Sequence, residues 1–312
     1  ERIAEEERIA EEERIAEEER IAEEAKLEFD NALTFFKEGD SLKAIKSINF
    51  SLEKNPKSKE AYILKAIINA YHLEKFDDAI KDIDNALDID NEYAFAHALK
   101  AEIFYFDLGG SFSKSQEYLK KAINLSPEDP HVNFIAGDIL FDNGFVVLGG
   151  DTFELSKNSS AQKELSLRSF EDARISFQKT LANIENESYK NLLSESSFIL
   201  GMEYNTIVFL GDTKYELYFL YKDKRETKTA KKYLKEALEH YSEAISIAPS
   251  QEEVVKIELD RDLDLISPAE LYLYRGEVYS WMNKWNKACS DWKVSKKLGN
   301  EYARDNIREF RC

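Results

Sequence analysis

From residue 25 onward, the apolar positions of the chain recur at spacings of three and four. Six segments share one order: a small residue, a bulky apolar residue four further on, a second small residue three beyond that, then an aliphatic. They read Ala44/Ile48/Ser51/Leu52, Ala79/Ile83/Ala86/Leu87, Ser115/Leu119/Ala122/Ile123, Ala173/Phe177/Thr180/Leu181, Ala237/Tyr241/Ala244/Ile245 and Ala288/Trp292/Ser295. Such spacing places all of them on one face of an α-helix. The small positions let a neighbouring helix come close, and the large ones fill the space beside it. Pro56, Pro127 and Pro249 follow three of the segments, where a helix must stop.

A second apolar helix precedes each segment and carries its own small residue: Ala32, Ala66, Ala101, Gly137, Gly201 and Gly276. From that residue to the small residue of the following segment is 12 to 14 positions in the first three units and the sixth, and 36 in the fourth and fifth. In the first three units a further 22 residues lead to the next unit, so the repeat is a helix–turn–helix of 34 residues. The fourth and fifth hairpins each hold 24 extra residues, near 145–168 and 212–235, and another stretch near 250–267 precedes the sixth unit. The pairs Gly109–Gly110 and Gly149–Gly150 read as hairpin turns, in FDLGGSF and VVLGGDTF, and VFLGDTKY (208–215) reads as a similar turn.

This pattern resembles the tetratricopeptide repeat family over residues 25 to 298. YILKAIINAYHLEKFDDAIKDIDNALDID (62–90) carries Tyr62, Ala66, Phe76, Ala79 and Ala86 at family positions. YLYRGEVYSWMNKWNKACSDWKVSKKLGN (272–300) is also close, and its ending resembles the last repeat of many bacterial members. Glu28, where a bulky aromatic is usual, and Lys296, where an aliphatic is usual, depart from the family. The resemblance implies an all-α fold, a right-handed solenoid of about six helix–turn–helix repeats whose first helices line a concave face. One unit cannot bury its own apolar face, so neighbours must stack and both ends need caps. NEYARDNIREFRC (300–312), with Tyr302, Ile307 and Phe310, reads as a C-terminal capping helix over 299–312.

Residues 1–24 are four copies of ERIAEE. Six residues advance an α-helix by 240° net, so Ile3, Ile9, Ile15 and Ile21 share no face and no coiled-coil seam forms. Charge pairs do form: Glu5 lies three before Arg8 and Glu12 four after it, and each unit repeats this. The segment holds twelve Glu and four Arg, a net −8 of the chain's −18. It reads as a solvated helical spacer, with a docking or self-association arm as the alternative.

Composition narrows the picture. With 11 Gly and 5 Pro in 312 residues, the turn-rich all-β folds are excluded, while 43% hydrophobic residues suffice for a core. A net charge of −18 argues against a nucleic-acid partner. No apolar run approaches the roughly 18 residues of a membrane span. The chain opens on Glu1, which reads as a processed piece, and a bacterial cell envelope or periplasm leads over cytoplasm as its place. Cys289 and Cys312 leave two states open: a disulfide that staples the cap in an oxidising compartment, or two thiols.

Catalytic and metal motifs fail. His72, His97, His131 and His240 have no metal-ligand spacing and read as surface or groove residues. Asp260, Asp262 and Asp264 imitate a calcium loop, but Leu265 and Leu271 occupy its glycine and glutamate positions. No serine or cysteine has a nucleophile signature. No enzyme, cofactor or metal follows from the sequence.

Projected as the family arranges them, the first helices expose Glu102, Tyr105, Phe134, Asp138, Phe141, Phe198, Met202, Asn205 and Glu277. That is an acidic, aromatic groove suited to a basic or amphipathic protein segment, with aromatic anchors. Phe29 and Leu33 stand where some family members place a carboxylate clamp, so that mode is not expected. Trp281 is the tryptophan expected at the groove, and Lys222, Lys224, Arg225, Lys228, Lys231 and Lys232 form a basic run, read as a solvated helix start or as a contact for an acidic partner or the chain's own arm. The sequence therefore predicts a non-catalytic interaction scaffold or adaptor, with a structural subunit of a bacterial envelope or surface assembly as the alternative.

Overall fold

A computed structural model describes residues 2–106, 112–150, 152, 155–189, 196–248 and 265–312. Among them there is no strand, and the helices pair into six antiparallel hairpins. These are α1 (Arg2–Lys37) with α2 (Ser41–Lys54), α3 (Lys59–Ile67) with α4 (Phe76–Ile89), and α5 (Ala94–Phe106) with α6 (Phe112–Leu125). They continue as α7 (Pro130–Leu148) with α8 (Ser160–Asn183), α9 (Ser196–Asp223) with α10 (Thr227–Ile247), and α11 (Pro268–Trp281) with α12 (Trp285–Lys297). A short helix, α13 (Tyr302–Glu309), ends the chain. Successive hairpins stack side by side, which makes the molecule an all-α solenoid.

The helix ends follow local chemistry. Asp40 caps α2 by accepting from the Lys43 amide at 3.1 Å. Asp129 caps α7, with Pro130 in its first turn. Ser159 with Gln162, and Ser267 with Glu270, form reciprocal capping boxes on α8 and α11. Gly149 closes α7 at φ 72°, a left-handed conformation that glycine adopts without strain. A π-helical turn, Ile68–His72, extends α3.

A recurring hydrogen bond ties each of several second helices to a backbone carbonyl of its first helix. Ser51 Oγ donates to the Ala25 carbonyl at 2.7 Å, Thr180 Oγ1 to Pro130 at 3.3 Å and Ser295 Oγ to Ala269 at 2.6 Å. All three occupy the second small position of the repeat. A hydroxyl there fits like alanine and also satisfies a buried carbonyl.

Much of each stretch counted as extra lengthens the paired helices: 145–148 and 160–168 in the fourth hairpin, and 212–223 and 227–235 in the fifth. In the fourth, α7 and α8 continue past the repeat length. Gly137 lies under Phe177, whose ring carbon would be 2.5 Å from an added Cβ. Seven residues outward on each helix, Gly144 lies under Phe170 at 2.6 Å, so the same contact is repeated two turns further along. In the fifth, VFLGDTKY is not a turn. It is the interior of α9, and Gly211 is small because the Tyr241 ring stands 2.8 Å from where its Cβ would be. Gly211 is therefore the glycine that packs under the Tyr241 ring of that hairpin. The Gly149–Gly150 turn forms as read, whereas Gly109–Gly110 and Asp260, Asp262 and Asp264 lie outside the described residues.

α13 covers the open end of the array. Ala303 is buried there, and Phe310 stacks on both Trp285 and Trp292, at 5.1 and 5.2 Å between ring centres. Cys289 on α12 and Cys312 are joined by a disulfide across 5.3 Å between Cα atoms. At the other end, Ala25 is the first buried residue among those described, and the part of α1 before it projects from the array, tied to α2 at its base by Lys54 donating to Glu24 at 2.8 Å. Arg8, Arg14 and Arg20 each bridge a glutamate three before and another four after, as the spacing predicts.

Candidate functional site

The residues projected onto a groove divide into two groups. Glu102 and Tyr105 on α5 and Asp138 and Phe141 on α7 are half-buried, at the edge of solvent. Tyr71, on the π-helical turn that extends α3, donates to Glu102 at 2.5 Å, and Tyr105 donates to Asp142 at 2.8 Å. Consecutive first helices α3, α5 and α7 are thus joined by one tyrosine–carboxylate bond each. Burial, then Asp142 and Asp138, pushes the Tyr105 phenol well above its usual range, so it stays a donor. Phe106, 43% exposed, stands edge-on to Tyr105 at 4.8 Å. The strip is acidic and aromatic, and Tyr71, Phe106 and Asp142 belong to it although residue-by-residue projection did not select them.

The second group is core. Phe134 is 4% exposed, Met202 0% and Asn205 1%. The groove assignment fails for these three because α9 packs over α7 and α8. Phe209 of α9 lies 6.3 Å from Phe134, 6.0 Å from Phe141 and 5.4 Å from Phe177, and closes an aromatic cluster between hairpins. The side chain of Phe198 lies outside the described residues. Glu277 sits apart on α11 and is half-buried. Burial and the nearby Asp212 charge push its carboxyl up to about 7, against a hydrogen bond from Asn306. Asp212, which accepts from Tyr241 at 2.6 Å, is likewise pushed up to about 7 by burial.

Trp281 is 39% exposed and leans on Phe219 at 5.2 Å, with Lys222 Nζ 4.2 Å above its ring. It edges a cleft of about 510 Å³ at the turn between α9 and α10, walled by α11. Phe29 and Leu33 pack against the core.

The histidines are packed among neighbouring side chains. His97 and His131 are buried, not surface residues: His97 Nε2 meets the Asn91 carbonyl at 3.0 Å, and His131 packs on Phe95. His72 sits against Phe36. His240 accepts from Lys214 at 2.8 Å, and burial, with that cation, lowers its pKa. No group of three metal-binding side chains occurs among the described residues. Nor is any described helix long and apolar enough to cross a membrane.

No protein-family profile matches the chain, and no curated protein matches it. Solved structures do. Pseudomonas aeruginosa PilF superposes with a TM-score of 0.54 at 15% identity, over 93% of this chain and 99% of that one. PilW, described as a widely conserved type IV pilus biogenesis factor, gives a TM-score of 0.54 at 14% identity, over 91% and 98%. A tetratricopeptide repeat protein of Thermus thermophilus aligns at 15% identity over 75% and 96%, with a TM-score of 0.43. The fold shared with PilF and PilW is an all-α solenoid of paired helices.

Proposed function

We propose that the protein is a non-catalytic interaction scaffold that holds a basic, amphipathic segment of a partner along the acidic strip of α3, α5 and α7. The observation that carries this reading is the linked row Tyr71–Glu102 and Tyr105–Asp142, flanked by Asp138 and the exposed Phe106. Fixed carboxylates steer and register a cationic segment, and the aromatic rings supply contact area. Because Phe134, Met202 and Asn205 are in the core, the anchors are Tyr105, Phe106 and Phe141. Affinity capture from source cells with the full chain and with a Glu102→Lys/Asp138→Lys variant tests it. Wild type should retain a stoichiometric partner that the variant loses while its thermal unfolding is unchanged; equal retention by both overturns the strip.

A second reading, a subunit of a bacterial envelope assembly, is supported by the Cys289–Cys312 disulfide, since such bonds persist in oxidising compartments. The shared fold with a pilus biogenesis factor is in keeping with it. Both readings use the array as a docking platform.

A further inference from the structure

The geometry points to a head-to-tail self-association in which the ERIAEE arm of one copy docks into the basic cleft between α9, α10 and α11 of another. The cleft has an apolar floor of Leu234, Met282 and Trp281, and its rim carries Lys222, Lys231 and Lys235. Between residues 222 and 235 the chain has seven basic and two acidic side chains, on a molecule of net charge −18. Of the nearby acids, Asp223 pairs with Lys163 and Glu236 with Lys214 and Lys232, away from the rim, while Glu239 pairs with the rim's own Lys235.

The arm is the complement of this cleft. In a helix Ile9 and Ile15 each have glutamates at positions −4, −3, +3 and +4: around Ile9 they are Glu5, Glu6, Glu12 and Glu13, of which Glu5 and Glu12 also hold Arg8. Each of these two isoleucines is an aliphatic knob ringed by carboxylates. Ile9 and Ile15 are 44% and 43% exposed on the projecting part of α1. One knob matches the floor, and its glutamates match the lysine rim. Successive knobs point 120° apart, so the missing coiled-coil seam becomes a set of interchangeable single-knob contacts. The repetition raises the effective concentration of knobs at one cleft.

The arm and the cleft lie on opposite ends of the array, and α1 is one unbroken helix through Lys37, so the contact is between copies. Different patches meet, which makes the interface heterologous and able to propagate. Sedimentation velocity of the full chain, from about 1 to about 200 µM at low and high salt, tests it. Wild type should show a sedimentation coefficient that rises with concentration and falls back with added salt. Lys231→Glu/Lys235→Glu, and separately serine at Ile3, Ile9, Ile15 and Ile21, should each shift the onset by about tenfold or more in concentration. An equimolar mixture of the two variants, each retaining one intact patch, should form a dimer and stop there. A wild type monomeric throughout, association indifferent to the cleft charges, or a mixture that stays monomeric overturns the proposal.

Discussion

In the first three hairpins a fully buried alanine of the first helix (Ala32, Ala66, Ala101) shares the core with a buried aliphatic of the second (Ile48, Ile83, Leu119). In the last three the first-helix residue is glycine and the second-helix residue is a ring: Gly137 with Phe177, Gly211 with Tyr241, Gly276 with Trp292. The volume removed from one helix is given to the other, so the helices still pack while the side-chain contact changes character. The aromatic half also carries the long helices, where Gly144 and Phe170 repeat the exchange. Rings that lie across a glycine backbone occur in the two long hairpins and in the sixth, whose helices have ordinary length. The exchange therefore concerns how closely the paired helices approach and not how long they run.

Breaking that exchange should give the largest effect. Phe177→Ala removes a fully buried ring over a glycine and should destabilise by about 3–5 kcal/mol in urea unfolding. Gly137→Ala should cost about 1–3 kcal/mol through overpacking, only partly offset by alanine's helix propensity. The double variant Gly137→Ala/Phe177→Leu recreates the first-half pairing and should recover most of the loss. If it is no better than the sum of Gly137→Ala and Phe177→Leu measured singly, the two halves are not versions of one contact.

The disulfide sharpens the contrast at the array's end, because the first half has no counterpart. It closes a separation of 23 residues, so Cys312→Ser should remove about 3 kcal/mol from the cap. In a solenoid each unit feels its neighbours, so the loss should appear first as faster amide exchange in 302–309 and only weakly in α3 or α4.

The repeat frame was legible because second helices alternate small and large at fixed spacing, which only a helix face explains. What the pattern could not separate was a small residue needed for packing from one needed for a turn: Gly211 in VFLGDTKY looked like Gly149, yet only Gly149 has a left-handed φ. The groove was half legible. Whether a first-helix residue faces solvent depends on the next hairpin, and Phe209, over sixty residues away from Phe141, decides that Phe134 is core. The Tyr105–Asp142 bond spans 37 residues where the regular repeat is 34, so no fixed-period projection finds it. Ser51, Thr180 and Ser295 were read as merely small, and their hydrogen bonds became visible only with the opposing carbonyls in place.

The finest difference between the halves is in their buried acids. In the first half Asp82 is raised by burial, but Lys65 at 3.6 Å and Asn69 at 2.9 Å offset part of that effect. In the second, Asp212 has only the Tyr241 hydroxyl, and Glu277 the Asn306 side chain, and both carboxyls are pushed up to about 7. A carboxyl whose folded pKa lies above its unfolded value near 4 holds a proton that the unfolded chain has released. Stability from these two groups is thus fully present below about pH 4, falls as pH rises toward 7, and is gone above it. Asp212→Asn keeps an acceptor for Tyr241 and removes one titration, so its unfolding free energy should fall less steeply between about pH 4 and 8. The Asp82→Asn change should leave that slope nearly intact while losing the Lys65 pair. Parallel slopes for wild type and Asp212→Asn would mean that the fifth and sixth hairpins open to water around this carboxylate before it ionises.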